Sequence, residues 1–404
     1  MSRGQKRIPK LRFPGFDGEW EEKRLSEICD FEQGLQVDLS LQSKVIKPGF
    51  INFVRIENVT QNSDDYRFIS TELSRNKILK KTDIIVVRYG ATAGFIGRGF
   101  SGVLANNLFT VKPKRDGIQL DYLYVYLRSE KTYSFFQSEM AGGAMPALSF
   151  GIAGSLLIPI PSLPEQQKIA DFLSVVDRKI EQLVRKKALL EDYKKGVMQK
   201  IFSQKLRFKD ENGKGYPKWE EKKLGDVAEF FKGKGIGKDD IDPNGHIECI
   251  RYGELYTSYS EHVGEVVSRT KNSDDLFLGK KNDVIIPASG ETSIDIARAA
   301  YLPRDGIALG GDINIIRTNE YGLFLAYYLN NAKKMDIAKM AQGNAVVHLY
   351  ARQLSHLEIR LPSLPEQQKI ADFLSALDAK VEKVAAQIEK SREFKKGLLQ
   401  QMFA

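Results

Sequence analysis

Two kinds of hydrophobic pattern alternate along this chain, and the alternation happens twice. The first kind is short and β-branched. FINFVRI from Phe50, DIIVVRYG from Asp83 and LFTVKP from Leu108 are followed, after a gap, by HIECIRYG from His246, DVIIPASG from Asp283 and INIIRT from Ile313. Runs of this length and composition, separated by Gly-rich turns, predict strands. Each set leads into a helical stretch, LDYLYVYLRSEKTYSFFQSEM from Leu120 and LFLAYYLNNAKKMDIAKMA from Leu323.

The second kind is a sustained heptad seam. Steps of four and three from Ile169 meet Leu173, Val176, Ile180, Leu183, Lys187, Leu190, Lys194, Val197 and Ile201, eight apolar positions in ten. From Ile370 the same steps meet Leu374, Leu377, Val381, Val384, Ile388, Ser391, Lys395, Leu398 and Met402, again eight in ten. A seam held for about five heptads predicts a coiled-coil helix, and about 38 residues give a rod of roughly 57 Å. Pro164 fits the first turn, where its missing N–H costs nothing, and Glu165 sits at the positive end of the dipole.

The chain is a duplication. PSLPEQQKIADFLS occurs at Pro161–Ser174 and again, letter for letter, at Pro362–Ser375. Downstream, YKKGVMQKIF at Tyr193 answers FKKGLLQQMF at Phe394, and Asp177 answers Asp378. Upstream the copies have diverged: WEEKRL from Trp20 answers WEEKKL from Trp219, and KKTDIIVVRYGAT from Lys80 answers KKNDVIIPASGET from Lys280. A period near 200 is far too long for a solenoid, whose units run about 20–50 residues. The reading is α+β: two mixed domains, 1–160 and 205–360, each followed by a long helix, 161–204 and 361–404. An internal pseudo-two-fold would set the two helices antiparallel. The alternative is that each helix packs only on its own domain. Because polar positions of the motif repeat as faithfully as apolar ones, Glu165, Gln166, Gln167, Lys168 and Asp171, with Glu366, Gln367, Gln368, Lys369 and Asp372, form two equivalent candidate docking sites for a partner.

Composition adds a direction. The 404 residues carry a net charge of +9, which leans towards a polyanionic partner. Two cysteines exclude a disulfide scaffold or a Cys-rich zinc module and fit a reducing compartment. No apolar run approaches the ~18 residues of a membrane span, and the basic start MSRGQKRIPKLRF has no apolar stretch after it, so a cytoplasmic location is expected.

Motifs for chemistry fail one by one. GKGIGKDD from Gly233 lacks phosphate-loop spacing and has Asp239 where Ser or Thr should follow Lys238, so it reads as a flexible basic loop. All four histidines, His246, His262, His348 and His356, lie in the second copy, whereas a duplicated metal or catalytic unit would carry ligands in both. No G-x-S-x-G elbow occurs, and no nuclease-type constellation of paired carboxylates with a nearby Lys recurs in both copies. A protein-binding coiled-coil adaptor and a self-sufficient nuclease are the rival readings.

Two diverged domains, each followed by a helix opening on LPEQQKIADFL, resemble the specificity (S) subunit of type I restriction-modification systems. The resemblance covers essentially the whole chain. It implies that each front domain is a target-recognition domain reading one half of a split, asymmetric double-stranded DNA site. It implies that the helices form an antiparallel coiled coil that sets the spacer and docks two methyltransferase (M) subunits, to which restriction (R) subunits are added. It also implies a chain without catalysis of its own, with S-adenosylmethionine, ATP and Mg²⁺ belonging to partners. The nearest string to the methyltransferase N-P-P-Y motif is Asp242-Pro243-Asn244, which does not match, and no Walker A loop is present.

Phosphate contacts position such a domain and base-edge contacts specify, through bidentate bonds from Arg to guanine or Asn and Gln to adenine. The candidates lie in Gly-rich loops after the repeated strand. They are Arg88, Tyr89, Thr92, Arg98, Asn106 and Asn107 in the first copy, and Ser289, Glu291, Thr292, Asp312 and Asn314 in the second. Arg55 and Arg251 occupy matching positions and are candidates for the DNA backbone.

Overall fold

The computed structural model describes residues 8–61, 63–74, 77–114, 117–141, 146–272, 274–343 and 346–403; the basic start Met1–Arg7 lies outside the described residues. The chain divides into two compact units, one formed by residues 1–184 with 386–404 and the other by 185–385.

In the first unit the β-branched runs pair as expected. Cys29–Gln33, Leu108–Pro113, Ile84–Val87 and Ile96–Gly97 form a four-stranded antiparallel sheet in that order. Ile84–Val87 is buried at every position, which is why it reads as continuous Ile and Val rather than as alternation. A second sheet sets Phe50–Val54 between Arg67–Ser70, antiparallel, and Val103–Leu104, parallel. A short ribbon joins Glu21–Arg24 to Leu157–Ile160 immediately before the long central helix, Leu163–Phe202.

The second unit repeats this plan. Its four-stranded sheet runs Ala228–Lys232, Ile313–Thr318, Val284–Pro287, Ala300–Tyr301. Its three-stranded sheet centres on Ile247–Ile250. Its ribbon, Glu220–Lys223 with Glu358–Leu361, precedes the distal helix, Leu364–Met402.

Each predicted helical stretch is two helices. Leu120–Leu127 stops at Arg128, and Glu130–Glu139 starts afresh because the Ser129 side chain accepts from the Thr132 amide. The counterpart divides into Gly322–Asn331 and Lys334–Met340.

The long helices complete both cores. In the first unit Ile169, Ala170 and Leu173, from the head of the central helix, share one apolar cluster with Leu398, Met402 and Phe403 from the tail of the distal helix. In the second, Ile370, Ala371 and Leu374 share a cluster with Val197, Met198 and Ile201. Head meets tail, so the paired segments run antiparallel within each unit, and each domain packs on its own helix and on the other repeat's helix. Three lysines interrupt the apolar seams, and all are answered: Lys187 pairs with Glu191 on its own helix at 2.9 Å, and the other two pair across the helices. Lys395 Nζ is 2.6 Å from Asp177 Oδ1 in the first unit, and Lys194 Nζ is 2.5 Å from Asp378 Oδ1 in the second. Tyr327 donates to Asp378 at 2.5 Å, and burial first, then that hydrogen bond, pushes its hydroxyl far above the usual range.

Candidate nucleic-acid interface

A backbone corner recurs in both units where the buried strand of the four-stranded sheet ends. In the first unit the Arg88 amide donates to the Asn107 carbonyl at 2.9 Å, and the Arg88 carbonyl accepts from the Leu148 amide at 2.8 Å. In the second the Ala288 amide donates to the Asp312 carbonyl at 2.7 Å, and the Ala288 carbonyl accepts from the Leu349 amide at 2.9 Å. The strand thus continues into a loop pinned on both sides. Gly90, at φ +88°, makes the turn that follows in the first unit, a conformation that favours glycine.

The side chains on this shared frame differ. In the first unit the Arg88 guanidinium lies over the Tyr89 ring at 4.9 Å and over the Phe150 ring at 5.0 Å. Phe150 is itself fixed by Phe31, stacked at 5.7 Å, and by Phe109, edge-on at 5.1 Å. Beside it the Asn107 Oδ1 is buried without a hydrogen bond, and Asn106 bonds to Gln36 Oε1. Thr92 is exposed on the following turn. The structure therefore brings Arg88, Tyr89, Asn106 and Asn107 together, with Thr92 nearby in sequence.

In the second unit Ala288 and Ala351 occupy the positions of Arg88 and Phe150, and a depression of about 390 Å³ opens there. Asp312, His348, Tyr350, Arg352 and Lys232 line it. His348 and Tyr350 stack at 6.2 Å, and Tyr350 is exposed. Glu291 is exposed, while Thr292 caps the short helix Ser293–Ile296 through the Asp295 amide.

Several sequence candidates are placed elsewhere. Ser289 is buried, and so is Asn314, whose Nδ2 donates to the Leu349 carbonyl at 2.8 Å; both serve the corner's scaffold rather than its surface. Arg98 pairs with Asp121 at 2.5 Å and lies over Tyr124. Arg55 pairs with Asp65 at 3.2 Å and Arg251 with Glu254 at 3.2 Å, so both matching arginines have internal partners.

The repeated motif divides in the same way. Glu165 is buried and receives two bonds from Arg12, at 2.7 and 2.8 Å, and one from Trp20 at 3.2 Å. Glu366 receives two from Arg207, at 3.1 and 2.6 Å. Gln166 bonds to the Gln119 amide and the Pro161 carbonyl, and Gln367 to the Tyr321 amide and the Pro362 carbonyl. These four side chains are thus occupied inside their own units, where they tie the helix start to its domain. The outward part of each motif is a Gln–Asp bond, Gln167 to Asp171 and Gln368 to Asp372, both at 2.9 Å. Lys168 lies over Phe13 at 5.8 Å, and Lys369 donates to the Lys209 carbonyl at 2.8 Å. The arginine clamp escapes the motif reading, although KLRF stands at both Lys10 and Lys205 and marks it.

The GKGIGKDD loop is explained by packing. A Cβ at Gly233 would lie 2.0 Å from the Gly310 carbonyl oxygen, and Lys234 pairs with Asp275. Burial pushes the Cys29 thiol up to about 12 and the Cys249 thiol up to about 11, which leaves neither a thiolate at neutral pH. Among the described residues no group of three His, Cys, Asp or Glu side chains is arranged to hold a metal ion, and no helix is long and apolar enough to cross a membrane.

A duplicated pair of mixed domains, each with the same corner carrying different side chains and each built onto antiparallel helix segments of its own unit, defines a duplicated recognition scaffold. A family model described as the type I restriction modification DNA specificity domain matches residues 17–192 and again 216–390. The chain belongs to that family, with the domain present twice. Among curated proteins it is similar to the type I restriction enzyme MjaVIII specificity subunit of Methanocaldococcus jannaschii, 24% identical over 411 residues, covering 96% of this chain and 93% of the relative. The MjaIX specificity subunit of the same organism is 26% identical over 328 residues, covering 78% and 75%. Among solved structures, the S subunit of a type I restriction-modification system from M. genitalium has the same fold, with a TM-score of 0.61 at 16% identity over 98% of this chain and 99% of the other.

Proposed function

We propose that this chain is the DNA-specificity subunit of a type I restriction-modification complex. Each unit reads one half of a bipartite, asymmetric site, and the paired helices set the unread gap. The outward Gln167–Asp171 and Gln368–Asp372 faces, with Lys168 and Lys369, dock two M subunits that methylate adenine. R subunits join that core for cleavage. S-adenosylmethionine, ATP and Mg²⁺ then belong to the partners, and this chain recognises without catalysing.

The observation that carries this reading is the corner itself. Two copies of one backbone frame hold unrelated side chains, which is what separate readers of two different half-sites require, whereas the clamp and motif are repeated almost unchanged.

Methylation mapping of a host carrying the chain with its M subunits tests it. A split motif is expected, and exchanging residues 205–360 for another such domain should rewrite one half alone. Rewriting of both halves would count against separate readers. Binding of the assembled complex to duplex DNA should fall steeply with salt, as phosphate neutralisation demands; a complex indifferent to DNA would support the protein-only adaptor.

A further inference from the structure

Five arginines of the first unit are half-buried among the described residues, and four of them have a carboxylate partner: Arg12 with Glu165, Arg55 and Arg67 with Asp65, and Arg98 with Asp121. The fifth is Arg88. No carboxylate lies within ion-pair distance of it among the described residues, and its buried Nε has no acceptor. Its terminal nitrogens are not among the buried unpartnered atoms, so they keep contact with solvent. Two rings hold the guanidinium, at 4.9 and 5.0 Å, and the second ring is locked in turn by Phe31 and Phe109.

This arrangement is costly for a merely structural arginine. A half-desolvated cation normally gains an anion, and here aromatic faces supply the attraction instead. The rings also fix the orientation of a long side chain with many rotamers, so little of that freedom remains to be lost on binding. A flat guanidinium with two free terminal donors matches the two acceptors, O6 and N7, that guanine shows in the major groove. A phosphate contact would not need the fixed plane, because it carries no base information. The second unit, with Ala288 and Ala351 at these positions, lacks the device.

Resting on the DNA-reading function proposed above, we infer that Arg88 is the guanine-reading residue of the first unit, held by Tyr89 and Phe150, and that the second unit reads its half-site without a counterpart. The half of the motif that survives exchange of residues 205–360 belongs to the first unit and should contain a guanine. For the assembled wild-type complex, duplexes with another base at that position should bind roughly ten- to a hundredfold more weakly. Arg88→Ala should reduce that discrimination to within about threefold at this position and leave the other half-site unchanged. Arg88→Lys, which keeps the charge without the plane, should recover overall affinity more than discrimination. A measurement on the unaltered protein guards against a variant that fails to fold: replacing the guanine with 7-deazaguanine, which removes N7, should weaken binding about tenfold. A surviving half-site without guanine, an Arg88→Ala complex weakened uniformly with its motif intact, or full affinity for the 7-deazaguanine duplex would overturn the assignment. If the wild-type complex shows no sequence-specific methylation at all, the proposed function fails instead.

Discussion

The two corners show how the molecule separates what must stay from what can change. Both are pinned by the same pair of backbone bonds, from residue 88 or 288 to the neighbouring strand and to the loop beyond. Main-chain bonds are indifferent to side chains, so the frame survives replacement of Arg88 by Ala and of Phe150 by Ala in the other copy. One corner is consequently filled and cationic, and the other is a depression lined by His348, Tyr350 and Arg352. The clamps show the opposite behaviour. Arg12–Glu165 and Arg207–Glu366 are side-chain interactions between buried or half-buried charges, and neither partner can be altered alone. Variation is tolerated where the backbone does the holding.

The largest effect is expected at the clamps. Glu165→Ala leaves Arg12 and Trp20 without their acceptor and should cost about 3–5 kcal/mol in the first unit, lowering its calorimetric transition. Glu366→Ala should cost the second unit less, because Trp219 does not share that carboxylate and its Nε1 is already buried without a partner. Equal losses would show that the third bond contributes nothing. Next comes conversion of one corner into the other. Ala288→Arg with Ala351→Phe places a guanidinium and a ring in the 390 Å³ depression. One position of the second half-site should shift towards guanine by about tenfold, with the first half unchanged; an unaltered methylation motif would show that the frame does not carry reading by itself. The smallest difference is expected in the seam. Lys395→Ala should destabilise by roughly 1 kcal/mol and Lys194→Ala by somewhat more, because Lys194 also reaches Glu261 at 3.7 Å. Thermal melts of the two variants compare them directly, and a larger loss for Lys395→Ala would reverse the ranking.

Much of this fold is legible in the sequence because its strongest signals are local. The β-branched runs become the central strands, and the heptad steps and the doubled motif mark helices whose lengths match the seams. The break at Ser129 is missed because an apolar stretch with good helix formers masks a side-chain cap. Most of the site is illegible for a different reason. Arg88 meets Phe150 only because the Leu148 amide bonds back to the Arg88 carbonyl, and no periodicity connects residues so far apart. Glu165 and Arg12 are 153 positions apart, and their meeting is announced only by the small KLRF repeat. Exact repetition of Glu165 and Gln166 reads as a surface kept for a partner, yet their burial shows that internal hydrogen bonding can keep a polar residue just as strictly.

The division of the helices between units has a consequence in time. The second unit is one unbroken stretch, 185–385, whereas the first needs residues 386–404 to rejoin its opening 184. Phe403 packs edge-on to Tyr122 and Tyr126, and its carbonyl accepts from Lys131, so the first unit's core stays open until that phenylalanine has been made. At about 5–20 residues per second, the ribosome takes roughly 10–40 s to cover the intervening stretch. The portion translated first is therefore expected to finish folding last. Its early strands must wait in an aggregation-prone state while the later domain closes, and limited proteolysis of stalled nascent chains should find the second unit protected before the first.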